Sequence, residues 1–242
     1  MRKAREETGQ FLAEGLKIVT EAVELGRAPR ILLYSADAAQ HPLLRRARAA
    51  TEAAEGEVIK VNHEILEKIS RRDNPQTVLA VFDQAYTPLT ALRPADANCW
   101  VALEAVRDPG NLGTIVRTAD AAGCGGVILV GDCCDPFSVE AVRATMGSVF
   151  AVKIAKATTG EFLDWRKTWP GAVVGTLLTA TTDFRAADYR TPTLILMGNE
   201  QAGLTPELAA ACDVAVKIPM RGRADSLNLA VATGVMIYAA TA

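Results

Sequence analysis

The sequence predicts an α/β protein. Its C-terminal part reads as a mostly parallel sheet with helices on both faces, and a smaller α/β unit precedes it. Three observations carry this. Between residues 99 and 242, runs that are apolar throughout alternate with helix-forming stretches, the pattern of strands covered on both sides. Residues 83–98, DQAYTPLTALRPADAN, hold two prolines and no apolar period, and read as a connection. Half of the 242 residues are hydrophobic, enough to bury a sizeable core. The expected domains are therefore 1–83, a linker at 84–98, and 99–242.

In the first unit, the apolar period over 11–25, FLAEGLKIVTEAVEL, predicts a helix that stops near Gly26. A strand at RILLYS, a helix over 42–55 and a strand at EVIKV follow. Asn62 suits the N-cap of HEILEKIS, since its short side chain can accept an N–H of the first turn. TVLAVF is the next strand. The second unit begins with strand CWVALEAV, a helix over 111–122, strand GVILVG, a helix over 138–147 and strand FAVKIA. A helix over 159–168, strands AVVGTLL and TLILMG, a short helix over 205–211, strand VAVKIP and a final helix over 226–240 complete it.

Composition narrows the function classes. The net charge is −2 and the pI about 5.8, so the molecule is no polycation and any basic surface must be local. Five cysteines (Cys99, Cys124, Cys133, Cys134, Cys212), an odd number with no C-x-x-C spacing, suggest reduced side chains used as small apolar groups. No His/Cys/carboxylate spacing indicates a metal. The N-terminus, MRKAREETGQ, lacks the apolar stretch of a signal peptide, and no run of about 18 apolar residues could span a membrane. A soluble cytoplasmic protein is expected. His41 and His63 both fall in the first unit, so histidine acid–base chemistry or a triad has no support near the second unit's loops. Neither G-x-G-x-x-G nor G-x-x-x-x-G-K-[ST] occurs, which disfavours an NAD- or nucleotide-binding α/β enzyme, the main alternative.

Three loops of the second unit concentrate polar residues at strand ends. The first, VRDPGNLGTIVRTADAAGCGG (106–126), offers Asn111 at a helix start and Arg117 along a helix rich in small residues, Thr114, Thr118 and Ala121. Asn111 could simply cap the helix, and Arg117 could be a solvated surface residue. The second, LILMGNEQAGLTPEL (194–208), has Gly198 and Glu200 where a buried strand ends, the place where open α/β sheets bind ligands. The third, IPMRGRADSLNLAVATGVMIY (218–238), sets Ser226 and Asn228 ahead of an almost wholly apolar helix. Ser226 or Asp225 would cap it, leaving Asn228 one turn in, where asparagine is disfavoured unless a ligand or partner uses it.

Together these loops resemble the three motifs of the SpoU/TrmH-type RNA ribose 2′-O-methyltransferases of the SPOUT superfamily. Asn111, Gly113, Arg117, Thr118, Ala119, Ala121 and Gly123 match the first motif. Gly198, Asn199, Glu200, Gly203 and Leu204 match the second. Ile218, Pro219, Met220, Gly222, Ser226, Leu227 and Asn228 match the third. The resemblance covers 99–242 strongly. The segment FLAEGLKIVTEAV is similar to the start of the family's substrate-binding domain, a ribosomal-protein-like RNA-binding α/β fold, with its usual first segment short or absent.

The resemblance implies a trefoil knot at the C-terminus, an S-adenosylmethionine cofactor, a homodimer, and methyl transfer to a ribose 2′-hydroxyl of ribosomal or transfer RNA. Gly198, Ile218, Leu227, Met220 and Leu177 would contact the cofactor. Arg117 would act on the hydroxyl and adjacent phosphate, with Asn111, Glu200, Ser226 and Asn228 positioning them. A guanidinium holds its proton and is a poor base, so gripping is the better role for Arg117 than deprotonation. Arg45, Arg46, Arg71, Arg72, Arg221 and Arg223 are candidate RNA contacts, since such binding is mainly electrostatic. A catalytically silent RNA-binding protein of the same fold is the remaining alternative.

Overall fold

The computed structural model describes residues 2–242. The first elements are α1 (Arg2–Thr8), β1 (Gln10–Glu14), α2 (Leu16–Glu24), β2 (Ile31–Tyr34), α3 (Pro42–Ala53), β3 (Glu57–Lys60), α4 (His63–Ser70) and β4 (Val78–Asp83). Then come β5 (Cys99–Glu104), α5 (Pro109–Ala121), β6 (Gly126–Val130), α6 (Val139–Thr145), β7 (Lys153–Ala157) and α7 (Thr159–Arg166). The chain ends with β8 (Val173–Thr176), β9 (Thr182–Asp183), β10 (Thr193–Met197), α8 (Pro206–Ala210), β11 (Val214–Lys217) and α9 (Leu229–Ala240). Two compact units result: residues up to 85 with 135–151, and residues 86–134 with 152–242.

The first unit is built on a four-stranded sheet in the order β1-β4-β2-β3, antiparallel except for the β2–β3 pair. Its first strand departs from the sequence reading. The helix expected over 11–25 starts only at Leu16, and residues 11–14 lie in β1. Phe11 and Ala13 point inward and pair in register with Phe82 and Ala80 of β4. Strand and helix meet at Gly15, whose φ of 102° is open to glycine and rare for other residues. The apolar residues of the strand happen to continue the helix period, so the pattern runs through the boundary. Asn62 does cap α4, accepting from the Ile65 N–H at 3.0 Å.

Residues 135–151 complete this unit. Phe137 and Phe150 stack on Phe11 with centroids 4.8 and 5.7 Å away, and Phe150 meets Phe82 edge-on at 4.7 Å. Arg143 on α6 reaches the buried Glu14 carboxylate at 2.5 Å, and Arg5 pairs with Asp135 at 2.7 Å. A buried carboxylate without such a partner would be costly.

The second unit is a seven-stranded, fully parallel sheet in the order β7-β6-β5-β10-β8-β11-β9. On one face Trp100, Ile128, Phe162, Trp169, Leu194, Leu196 and Leu208 form a continuous core. On the other, α9 packs on α5, β5 and β10. Coverage on both faces explains why β5, β6 and β10 are apolar throughout. The short β9 escapes the sequence reading because two residues show no period.

Two helix starts also differ from expectation. Asp108, not Asn111, caps α5, accepting the Asn111 N–H at 2.6 Å, with Pro109 in the first turn. Asn228 itself caps α9, accepting from the Ala230 and Val231 N–H groups at 2.9 and 3.2 Å. Ser226 instead donates to Asp225 at 3.1 Å. Nor is α9 wholly buried: Val231 and Tyr238 remain 53% and 57% exposed.

Among the described residues no helix is long and apolar enough to cross a membrane, and all five cysteines are free thiols.

Candidate active site

In the parallel register Leu103 lies beside Met197, so β5 and β10 end together and their following loops run side by side. The Asn199 amide donates to the Ala105 carbonyl at 2.8 Å and ties one loop to the other. Ala105 adopts φ 47°, a left-handed conformation uncommon outside glycine, which turns the chain at this point. Asn199 also closes its own loop: its side-chain oxygen accepts from the Gln201 and Ala202 N–H groups, and its main chain pairs with Gly203 in both directions.

Gly198 is required by that turn. A Cβ there would lie 2.1 Å from the Gly203 carbonyl carbon and 2.2 Å from the Leu204 nitrogen, both main-chain atoms that cannot swing aside. Gly198→Ala should therefore destabilise the protein by about 2 kcal/mol, the usual scale of forced overpacking. That is a fall in Tm of roughly 4–8 °C for a domain of this size, readable by thermal unfolding; an unchanged Tm would show that the loop yields.

Glu200 emerges from this loop as the hub of a hydrogen-bond network. Its carboxylate accepts from the main-chain N–H groups of Arg107 (3.2 and 3.3 Å) and Asp108 (3.2 Å). It also accepts from the Asn111 amide at 3.3 Å and the Asn199 amide at 3.4 Å. Burial alone would raise its pKa, but the combined N–H donors outweigh burial and hold it below the ordinary carboxylate value. The chain continues through side-chain amides. Asn228 donates to the Asn111 oxygen at 2.8 Å, while the Asn228 oxygen takes the first N–H groups of α9. Donation thus runs one way, from α9 through Asn228 and Asn111 to Glu200. Each amide uses one of its two N–H bonds in this chain, so each has a second for a bound oxygen.

Beside the network opens a cavity of about 410 Å³, within the range of small-molecule sites. Its lining includes Leu177, Gly198, Glu200, Ile218, Met220, Ser226 and Leu227. All five candidate cofactor contacts therefore share one pocket, together with Glu200 and Ser226. Asn111 and Asn228 join it through the network. Arg117 stands apart: it is exposed on α5, outside the lining, and has no hydrogen bond or ion pair among the described residues. Part of the small face of α5 is used within the chain, since a Cβ on Gly234 of α9 would sit 3.6 Å from Thr118. Arg221 and Arg223 are exposed on the third loop; in the first unit Arg45, Arg46 and Arg71 are exposed and Arg72 partly so, with Arg46 paired to Glu24.

The sequence reading missed three participants. Asp108 was legible, because Asp before Pro at a helix start is a cap signature. The side-chain role of Asn199 and the turn at Ala105 had no local signal.

Comparison with known proteins places this geometry. A model of the SpoU rRNA Methylase family matches residues 98–238, and one of the MRM3-like substrate binding domain matches residues 1–80. A 23S rRNA (uridine(2479)-2′-O)-methyltransferase of Streptomyces viridochromogenes is 33% identical over 99% of this chain and 85% of its own. The 23S rRNA (guanosine(2553)-2′-O)-methyltransferase RlmP of Bacillus subtilis is 28% identical over 98% of this chain and 90% of its own. Among solved structures, an AdoMet-bound rRNA methyltransferase from Sinorhizobium meliloti superposes with a TM-score of 0.93 at 50% identity, covering 99% of this chain and 90% of that one.

Proposed function

The chain belongs to the SpoU rRNA methylase family, and from that premise we propose that it transfers a methyl group from S-adenosylmethionine to a ribose 2′-hydroxyl of RNA. The relatives named above act on 23S ribosomal RNA, which makes ribosomal RNA the favoured substrate over transfer RNA. The observation that carries the reading is the Glu200–Asn111–Asn228 chain at the rim of a cofactor-sized cavity.

The cavity suits the cofactor. Leu177, Ile218, Leu227 and Leu229 offer apolar walls for a purine, and the Gly198–Asn199 main chain, Thr176 and Ser226 offer polar contacts. When bound, S-adenosylmethionine supplies a methyl carbon on a cationic sulfur, open to in-line attack by an oxygen. The protein's work is then to orient that oxygen and keep water off the methyl carbon; as the oxygen–carbon bond formed, the carbon–sulfur bond would break, S-adenosylhomocysteine would leave, and the hydroxyl proton would pass to the surrounding water. The spare amide N–H groups of Asn111 and Asn228 point a ribose or phosphate oxygen toward the cavity, and Ser226 adds a hydroxyl on its wall. Glu200 has its oxygens filled by N–H donors, so its role is to hold the two loops rather than to take a proton. Arg117 grips the hydroxyl and the adjacent phosphate.

Arg117 lies outside its own chain's pocket, and this supports a homodimer in which each chain offers its arginine to the other's cofactor. The exposed Val231 and Tyr238 on α9, the helix packed on α5, support the same reading. The insertion of β10 between β5 and β8, with α9 laid across α5, β5 and β10, is compatible with the trefoil knot. The first unit, with Arg45, Arg46, Arg71 and Arg72, would bind the RNA, and the cytoplasm would be the place of action.

Calorimetry should give one S-adenosylmethionine per chain and no binding of NAD. Incubation with an unmodified 23S rRNA transcript and methyl-labelled cofactor should then place label on a ribose. NAD binding in place of S-adenosylmethionine, or cofactor binding without methylation of any RNA, would overturn the proposal; the second result would favour a silent RNA-binding protein.

A further inference from the structure

We infer that Arg107 is a further substrate residue: its guanidinium takes a phosphate flanking the target ribose, and Asp132 occupies it in the free enzyme. This rests on the ribose-methylation reading. Arg107 sits in the loop between β5 and α5, and its main-chain N–H is held by Glu200. Its position is therefore fixed within one hydrogen bond of the Glu200–Asn111–Asn228 chain. Its side chain points elsewhere. It is 61% exposed, and its Nη1 meets the Asp132 carboxylate, itself 68% exposed, at 2.7 Å.

So open a pair contributes little to folding. What it does is hold a guanidinium, with most of its fork of five N–H donors still available, at the Asp132 end of this loop cluster. Arginine in that state is the side chain best matched to a phosphodiester, which it can bind through two parallel hydrogen bonds. Asp132 presents a carboxylate in the meantime, an anion of the same donor preference.

The order of strands gives the direction. Along the carboxyl edge of the sheet, the cavity lies over the ends of β11, β8 and β10, Glu200 follows β10, Asn111 and Arg107 follow β5, and Asp132 follows β6. Arg107 thus stands on the side of the network away from the cofactor cavity. Electrostatics points the same way. Asp108, Asp132 and Glu200 gather carboxylates at this edge. Burial pushes the neighbouring Cys134 thiol up to about 12, with the charges of Glu200 and Asp108 adding to the effect. A polyanion approaching these carboxylates needs a cation among them, and Arg107 is positioned as that cation.

The test uses the full-length protein and an unmodified 23S rRNA transcript, with RNA affinity followed across a salt series. Arg107→Ala should weaken RNA binding about tenfold, the scale of a charge-assisted hydrogen bond. The slope of log K against log salt should become shallower by about 0.9, one phosphate contact. KM for RNA should rise while affinity for S-adenosylmethionine stays unchanged. Arg107→Lys should restore part of the loss. Asp132→Asn should tighten RNA binding, and the gain should vanish in the double variant with Arg107→Ala. An unchanged slope and KM in Arg107→Ala, loss of cofactor binding in that variant, or an Asp132→Asn gain that persists without Arg107 would overturn the inference while leaving the methyltransferase reading intact. Failure of the unaltered protein to methylate RNA would overturn both.

Discussion

Arg117→Ala is expected to lower the rate of methyl transfer by about 10³-fold, the scale of removing one preorganised donor from a developing charge, without loss of S-adenosylmethionine binding. The two halves of this expectation have separate grounds. Cofactor binding and folding should survive because Arg117 is exposed, lines no part of the cavity and has no partner among the described residues; such surface changes usually stay within about 0.5 kcal/mol. Activity should fall because no other arginine occupies the matching place in the first motif, and methyl transfer needs the hydroxyl and its phosphate held still. Arg117→Lys should lie between, with the charge kept but the planar fork lost. The dimer reading adds a sharper test. Mixing Arg117→Ala with a variant whose cavity is disabled, such as Gly198→Ala, should recover activity, because a mixed dimer assembles one complete site. A mixture that stays inactive would place Arg117 in service of its own chain. A folded Arg117→Ala protein that no longer binds the cofactor would show that its role has been misassigned.

Much of the fold was legible because of one physical fact: strands covered on both faces leave few polar positions. β5, β6 and β10 could therefore be read as apolar runs, and the alternation with helices gave the parallel sheet. What failed was local. At residues 11–14 a strand and the following helix share an apolar period, and only the conformation of Gly15 separates them. That a segment from beyond β6 completes the first unit had no sequence signal at all. Phe137 and Phe150 are ordinary apolar residues until Phe11 and Phe82 are seen beside them.

The site was legible residue by residue but not in its wiring. Asn111, Glu200, Ser226 and Asn228 could be singled out from three loops far apart in sequence. One turn inside a helix Asn228 would be a disfavoured polar residue; in the fold it caps the helix instead. Its connection to the site is its amide nitrogen, bonded to Asn111 across 117 positions. Likewise Asp108 fills the cap that was the simpler alternative for Asn111, and this leaves the Asn111 side chain available for Glu200. Pairings of this kind depend on strand register, which an apolar pattern does not encode for buried parallel strands.

Glu200→Gln should reduce turnover by about 10²-fold, the cost expected when reacting groups shift by about an ångström, and should lower stability by about 2 kcal/mol at neutral pH. The glutamine keeps one acceptor but sets an NH₂ group against the N–H donors of Arg107, Asp108, Asn111 and Asn199, so some of those donors must lose their partner. Asn111 would then be released at one end, and Asn228 would hold an amide that no longer has a fixed orientation. The pH dependence follows from the sign of the carboxylate's shift. Its pKa in the folded protein is below the ordinary value, so it contributes stability above the unfolded value of about 4.3, and that contribution is lost as pH falls through the lower folded value. The stability difference between wild type and Glu200→Gln should accordingly be constant above about pH 5 and should shrink below about pH 4. Water at the exposed edge of the carboxylate will moderate its size. Denaturant unfolding of both proteins at neutral and acid pH measures the difference directly. Equal turnover in the two proteins, or a stability gap that persists unchanged at acid pH, would mean that Glu200 is not the charge that holds the two loops together. Asn111→Ala supplies the complementary test: if Glu200 acts through Asn111, the turnover losses of the two substitutions should fail to add in the double variant.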